Sequence, residues 1–451
     1  MRKRILVIGG LAAGPSAASK AKRTNPESEV VLFEQGEHVS YGICEIPYAL
    51  AGETGMDRLK TFTPQRLREE KGVDVRLLHR VERIIPTRRV LVVRDLQRGS
   101  VAEETYDRLI IATGSQPKKL GVSGEDARNV FTVKSLSGAF ALEKFLNEEQ
   151  PKRAVIIGAG YIGIEMAEAL RSRGLEVTMV HIHSLPLKGL EREARERVRS
   201  ELESHGVQFV ALARTQGFVV GSGQRVTHVV TDQGTFEADV VLVTIGVAPN
   251  TELAQNAGIR LGEAGGILTD QRQQTNLDHI YAAGDCCLVR NIVTGRHVYI
   301  PLATNASKQG WVAGENAAGG AATFRGAVHA IGVRAFTIEV VRVGVGTEEA
   351  EASGFDVVSE TISAWSKVAV MPGSKKLWIK AIADKRSRRL LGVNMIGEEG
   401  AVLRANTFAL AIQNRMTLDD LAQADLVYSP PCTPLWDPVL VTANVLRKKL
   451  R

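Results

Sequence analysis

The sequence predicts an α/β chain with two Rossmann-like dinucleotide-binding units followed by a C-terminal α+β domain. Three observations predict it. A buried strand, a glycine turn, a small-residue helix and a second strand occur twice, at residues 3–34 and again at 154–181. Two further strands run into glycines, Tyr106 to Gly114 and Val240 to Gly246, and a third such run, His279 to Asp285, follows them. From about Phe324 the glycine fingerprints stop. Strand-like runs (Ala335 to Val345, Leu377 to Ala383) then precede helical ones (Ala401 to Asn414, Leu418 to Ala424), which is an α+β order.

The first unit reads Lys3-Arg4-Ile5-Leu6-Val7-Ile8-Gly9-Gly10-Leu11-Ala12-Ala13-Gly14, then a helix, then Val30-Val31-Leu32-Phe33-Glu34. Glycines let the backbone approach a pyrophosphate, and the helix N-terminus supplies N–H donors and positive potential. Leu11 replaces the middle glycine of the strict pattern, and Gly10 partly compensates. Glu34 suits a ribose diol. The second unit keeps all three glycines, Gly158, Gly160 and Gly163, followed by a helix through Leu170 and the strand Val177 to His181. An acid at position 181 would bind a 2′-hydroxyl and repel a 2′-phosphate. His181 removes that repulsion, so NADPH is expected to be accepted at least as well as NADH. Two such units about 150 residues apart imply two dinucleotides on one chain.

Composition narrows the class. The 451 residues exceed one ordinary core, and 44% apolar with 24% charged residues is normal for a soluble globular protein. No apolar run reaches the roughly 18 to 20 residues of a membrane helix. The basic, apolar N-terminus breaks early into glycines, so it reads as a cytoplasmic strand rather than a signal peptide. Net charge is +7, spread along the chain, and aromatics are only 5%, which leaves no stacking platform for nucleic acid. Four cysteines do not make a disulfide scaffold and fit a reducing compartment. His181 and His183 alternate at a strand end, too little for a metal site.

Cys44 lies in Ser40-Tyr41-Gly42-Ile43-Cys44-Glu45-Ile46-Pro47-Tyr48, about ten residues past Glu34, with no second cysteine close behind. Residues 45 to 51 read as a short helix with Pro47 in its first turn. A cysteine at that N-terminus is expected to gain thiolate character and to attack a disulfide or persulfide. Glu45 would oppose this if it faced the sulfur and would be neutral if it faced solvent. The bland reading, a small buried hydrophobe, suits Cys286 and Cys287 better than Cys44.

Together these residues resemble the two-dinucleotide flavoprotein disulfide reductases, and the lone cysteine with the C-terminal Val427-Tyr428-Ser429-Pro430-Pro431 and Trp436-Asp437-Pro438-Val439 resembles their single-cysteine branch. That branch holds coenzyme A disulfide reductases, persulfide and sulfur reductases, NADH oxidases and NADH peroxidases. The resemblance implies an FAD-binding domain at 1–115 and 247–322, an NAD(P)H-binding domain at 116–246 and a dimerisation domain at 323–451. It implies FAD on Gly9, Gly14, Glu34, Thr113, Gly114, Gly284 and Asp285, with Asp285 on the ribityl chain. It implies NADPH or NADH on Gly158, Gly160, Tyr161, Ile162, Gly163, Glu165, His181 and Gly246, with Tyr161 covering the flavin and Glu165 beside the nicotinamide.

The same resemblance implies a homodimer in which the C-terminal segment completes the partner's site. Tyr428 would then donate a proton or orient a leaving thiol, and Cys432 would be at most a resolving thiol. A small-molecule sulfur substrate is implied, with coenzyme A as a candidate whose phosphates would meet Lys20, Lys22, Arg23, Arg66 and Lys71 near Ser40. Met371 replaces the tyrosine of a family Tyr-Pro-Gly turn, which weighs against coenzyme A disulfide turnover. Oxidases and peroxidases of the branch usually carry a histidine where this chain has Ala12, which weighs against reduction of oxygen or peroxide through a cysteine sulfenic acid. A non-enzymatic flavin redox sensor is the remaining alternative.

Overall fold

The computed structural model describes residues 3–450. Its first sheet is parallel, in the order Ile280–Ala282, Arg108–Ile111, Arg4–Ile8, Glu29–Phe33 and Asp74–Arg76. The second is parallel as well: Val207–Val210, Glu176–Val180, Arg153–Ile157, Val240–Val243 and Val130–Phe131. Apolar runs without alternation form these central strands because both faces are buried, one under helices and the other mainly under an antiparallel insert. Residues 280–282 return to the first sheet long after the second unit has begun, so the first unit is discontinuous in sequence.

The registers align Ile8 with Phe33 and Ile111, and Ile157 with Val180 and Val243. Each glycine turn therefore leaves its sheet at the carboxyl edge where strand order reverses, the place where such sheets bind ligands. The two crossovers between the units run side by side, Ser115–Pro117 pairing antiparallel with Val247–Pro249. Each unit also carries a three-stranded antiparallel insert. The one at His79–Ile85, Val90–Asp95 and Val101–Thr105 and the one at Thr215–Val220, Val226–Thr231 and Gly234–Glu237 both escaped the sequence reading.

Helix Ala13–Thr24 of the first unit packs tightly on helix Ala303–Ala318. A Cβ on Gly310 would lie 2.2 Å from the Ala13 carbonyl oxygen, and one on Gly314 would lie 2.1 Å from that of Ala17. Small residues four apart let the two backbones touch, which fixes the helix whose N-terminus faces the first turn. Gly314→Val is expected to cost at least about 2 kcal/mol by overpacking, read as a lowered thermal midpoint.

The C-terminal domain is an antiparallel sheet in the order Ile331–Ala335, Ile338–Gly344, Leu390–Gly397, Lys376–Asp384 and Val357–Trp365, covered by helices Ala401–Gln413 and Pro438–Lys448. The α+β class holds, and the helices near 401–414 and 418–424 form at Ala401–Gln413 and Leu418–Ala422. The expected single strand from 335 to 345 is corrected to the second arm of a hairpin. Phe336 takes a φ of 52°, and the chain reverses there. Strand Val357–Trp365 was missed because its residues are half exposed and mixed in polarity. Among the described residues no helix is long and apolar enough to cross a membrane.

Candidate active site

Both glycine turns are built by the same close approaches. A Cβ on Gly9 would lie 2.1 Å from the Ala112 carbonyl oxygen, and one on Gly158 would lie 2.6 Å from that of Thr244. A Cβ on Gly14 would lie 1.8 Å from the Gly9 oxygen, and one on Gly163 would lie 2.2 Å from the Gly158 oxygen. Gly9 and Gly158 also have φ near +108°, a region that suits only glycine. Neither following helix, Ala13–Thr24 or Tyr161–Ser172, has a side-chain cap or an acid in its first turn. Their N–H groups stay free for a phosphate.

The residues ending the second strands close the two turns in matching ways. Gly10 N–H donates to Glu34 Oε2 at 2.7 Å, and Gly36 N–H donates to Oε1 at 2.7 Å. Ala159 N–H donates to His181 Nδ1 at 3.2 Å. Burial pushes His181 down to about 4, with His183 and Arg195 adding to the fall, so its ring is neutral at physiological pH. Beside it stand His183, whose ring centroid is 5.2 Å away and which itself feels exposed Lys188, and Arg195, which braces the loop through the Leu185 and Pro186 carbonyls. No carboxylate occupies the position that Glu34 holds in the first turn.

Thr113 and Asn250 lock the crossovers: Thr113 Oγ1 donates to the Asn250 carbonyl at 2.7 Å and Asn250 Nδ2 to that of Thr113 at 2.9 Å. Gly114 and Gly246 turn there with φ of 68° and 98° and have open space around them. Gly284 N–H is held by buried Gln309. Asp285 accepts from Ser115 Oγ at 2.9 Å and pairs with Lys134 Nζ at 3.3 Å.

Cys44 is exposed and sits one residue before Glu45, the N-cap of helix Ile46–Leu50. The helix start is where the sequence placed it, but the expected thiolate character is corrected. Desolvation pushes the Cys44 thiol up, and the carboxylates of Glu45, Glu165 and Asp285 add to the rise, while Lys134 alone opposes it. One turn and a half of helix carries little dipole, and three nearby acids outweigh it. Glu45 is settled as well: its carboxylate folds back over Gly42, where a Cβ would meet Oε2 at 2.0 Å.

Glu165 lies behind Cys44 and accepts from the Tyr48 hydroxyl at 3.2 Å. Burial pushes the Glu165 carboxyl up to about 7, Glu168 adds to this, and the Tyr48 bond and Arg334 oppose it. An unfolded glutamate titrates near 4.3. The folded state therefore holds the extra proton between those values, and this contribution is lost as pH rises through 7. Glu165→Gln should gain on the parent by up to about 3 kcal/mol between pH 4.5 and 7.5, seen as thermal midpoints that diverge with pH. Tyr161, also half-buried, has its hydroxyl pushed up to about 12 by burial. Ile162 packs in the same core.

Two residues before Cys44, Ser40 to Gly42 form part of the wall of a cleft lined also by Ala12, Ser16, Phe62 and Ser307. Ser40 has a φ of 50°, and its carbonyl accepts from both Thr61 and Phe62 N–H. Strain of this kind gathers at functional sites. Arg66 and Lys71 stand over the Phe62 ring at 4.9 and 5.5 Å, beside this mouth. The other cations do not converge there. Lys22 Nζ is bound to the Pro26 and Ser28 carbonyls, Lys20 is paired with Glu315 at 2.8 Å, and Arg23 is exposed on the same helix. Cys286 and Cys287 are buried in the core with sulfurs 3.8 Å apart and unbridged. Tyr428 and Cys432 lie exposed in the C-terminal segment.

The pyridine nucleotide-disulphide oxidoreductase model matches residues 3–310, and its dimerisation-domain model matches 332–438. The chain belongs to this family. It is 35% identical to the NAD(P)H coenzyme A polysulfide/persulfide reductase of Pyrococcus horikoshii over 99% of both chains. It is 30% identical to an NADH oxidase of Methanocaldococcus jannaschii over 99% of both. The reduced CoADR-RHD of Bacillus anthracis superposes with a TM-score of 0.96 at 28% identity, covering all of this chain and 81% of that one. As a pyridine nucleotide-disulphide oxidoreductase the chain is a flavoprotein of a family that uses FAD and NAD(P)H. Two uncapped helix N-termini above glycine turns fit two pyrophosphates.

Lys134, Tyr48 and Arg334 are the residues of the site that sequence reasoning passed over. Lys134 sits in a loop with no motif, and Arg334 lies in the third domain. Only Tyr48, four residues after Cys44, carried a local signal.

Proposed function

We propose that the protein is an NAD(P)H-dependent reductase of disulfide, persulfide or polysulfide substrates, of the coenzyme A-linked kind, acting through Cys44. The observation that carries this reading is the position of Cys44: exposed and unpaired, it follows by two residues the Ser40–Gly42 wall of the cleft and feels the carboxyl groups of Glu165 and Asp285. When bound, FAD supplies the two-electron link between NAD(P)H and the thiol. Gly9, Gly14 and Glu34 would hold its adenosine half, and Asp285, steadied by Ser115 and Lys134, its ribityl chain. Gly158, Gly160, Gly163, Tyr161 and His181 would hold the nicotinamide nucleotide.

Cys44 as thiolate attacks one sulfur of the substrate; the new S–S bond forms as the old one breaks, and the released thiolate takes a proton. Arg66 and Lys71 are the cations placed to meet the phosphates of a coenzyme A thiol lying in the cleft. Lys22 is withdrawn from that role by its two carbonyl bonds. We further propose a homodimer in which Tyr428 of one copy reaches the other's cleft. Val427, Leu403 and Leu435 support it, being 87%, 76% and 67% exposed on the C-terminal domain. Unpaired cysteines and an NAD(P)H-fed thiol suit the cytoplasm.

Intact mass analysis of the purified protein without reductant is expected to find a coenzyme A adduct on Cys44. Oxygen consumption faster than disulfide or polysulfide reduction would instead favour an NADH oxidase. Cys432→Ser is expected to leave turnover within about twofold of the parent, since exchange needs only one attacking sulfur. Substrate trapped on Cys44 in that variant would assign Cys432 a resolving role.

A further inference from the structure

Helix Ile46–Leu50, helix Tyr161–Ser172 and strand Ile331–Ala335 come from three different parts of the chain and meet behind Cys44. Tyr48 of the first donates to Glu165 of the second. Arg334 of the third lies over the Tyr48 ring, 4.8 Å from its centroid, and pairs with Glu168 at 2.8 Å and with Glu53. Phe336 N–H also donates to Glu168 at 2.9 Å, so the C-terminal domain grips the Glu165 helix at two points. Arg173 ties the same helix to the cysteine helix through the Leu50 carbonyl at 3.0 Å. Tyr48 is half-buried with its hydroxyl held well above its ordinary value by burial and by Glu165, so it is a donor at every working pH.

We propose that Tyr48 and Arg334 are positioning residues that set the protonation of Glu165 and, through it, the fraction of Cys44 present as thiolate. The proposal rests on Cys44 as the redox thiol for its meaning, but not for its test. The charged and titratable groups facing Glu165 are Tyr48 on the cysteine helix, Glu168 on its own helix and Arg334 on the C-terminal strand, with Glu53 behind Arg334. Those facing Cys44 are Glu45, Glu165, Asp285 and Lys134. Lys134 is the one cation, and it is already paired with Asp285. A proton on Glu165 removes one negative charge that opposes the thiolate. The Tyr48 hydrogen bond and the Arg334 charge both favour ionised Glu165 and so hold the thiol back until Glu165 is protonated. The dimerisation domain thereby takes part in the reactivity of a thiol almost 300 residues earlier in the chain.

The test is the pH dependence of iodoacetamide alkylation at Cys44, followed by peptide mass spectrometry on reduced, desalted holoenzyme. Below the thiol's own titration the rate follows the thiolate fraction, so a shift of half to one pH unit reads as about a 3- to 10-fold change. Glu165→Gln should alkylate about 3- to 10-fold faster at pH 7.5 and lose the inflection near pH 7. Tyr48→Phe and Arg334→Met should be faster than the parent near pH 7 and converge with it above about pH 9, where Glu165 is ionised in all three. Arg334→Lys should keep the parental profile.

Profiles of Glu165→Gln and Tyr48→Phe that superimpose on the parent, at parental flavin content, would overturn the proposal. So would a uniform change at all pH values, the signature of altered packing alone. Should Cys44→Ser keep its reductase activity, the redox reading would fail while the alkylation profiles would still decide this coupling.

Discussion

Cys44→Ser holoenzyme is expected to be reduced by NAD(P)H, seen as bleaching of the flavin, and yet to lose disulfide or persulfide turnover by roughly 10³-fold or more, the scale on which removal of a covalent nucleophile acts. The two half-reactions separate because they use different parts of the molecule. In the proposed reading nucleotide binding would use the glycine turns, the crossovers and Asp285, none of which Cys44 touches through a hydrogen bond. The second half-reaction needs a sulfur at the cleft. Cys286 and Cys287 cannot replace it, since both are fully buried, and Cys432 follows no glycine turn that would bring a flavin to it. Stopped-flow reduction with and without acceptor reads both halves, and retention of full disulfide reductase activity would remove Cys44 from the mechanism.

His181→Asp is expected to lower kcat/KM for NADPH by about 10- to 100-fold while leaving NADH nearly unchanged. A unit charge at about 4 Å in a partly exposed site is worth between about 1 and 4 kcal/mol. A carboxylate in place of the ring would still accept the Ala159 N–H, as Glu34 accepts that of Gly10, so the turn should survive. What changes is the charge facing a 2′-phosphate. Lys188→Ala should weaken NADPH in the same assay by a smaller factor, because Lys188 is exposed and solvent-screened. Neutral His181 means that lowering pH from 8 to 6 should barely alter NADPH binding through this ring, since it titrates near 4. A strong NADH preference unaltered in His181→Ala would place selectivity elsewhere.

Much of this was legible locally. Two glycine patterns announce themselves because each needed glycine is forced by contacts a few residues away or one strand over, such as Gly14 against Gly9. Cys44, Glu34 and His181 stood out because their distance from those turns is set by one strand and one helix. The antiparallel inserts and strand Val357–Trp365 were not legible, since half-exposed strands lack a clean period. Arg66 and Lys71 could not be told from Lys20 and Lys22 until the folded chain showed which stand over Phe62 at the cleft.

The sequence by itself determined that the chain carries two glycine turns of the dinucleotide-binding kind, where they lie and that the sulfur of Cys44 stands at the start of a short helix, because those features depend on residues within about forty positions of one another. The tertiary structure alone decided the charge around that sulfur. The thiol of Cys44 is held up rather than down first because the fold desolvates it, and then because Glu45 and Glu165, with a smaller part from Asp285, oppose the thiolate while Lys134 favours it. Electrostatic energy depends on distance through space and on burial, and neither can be read along a chain before it folds.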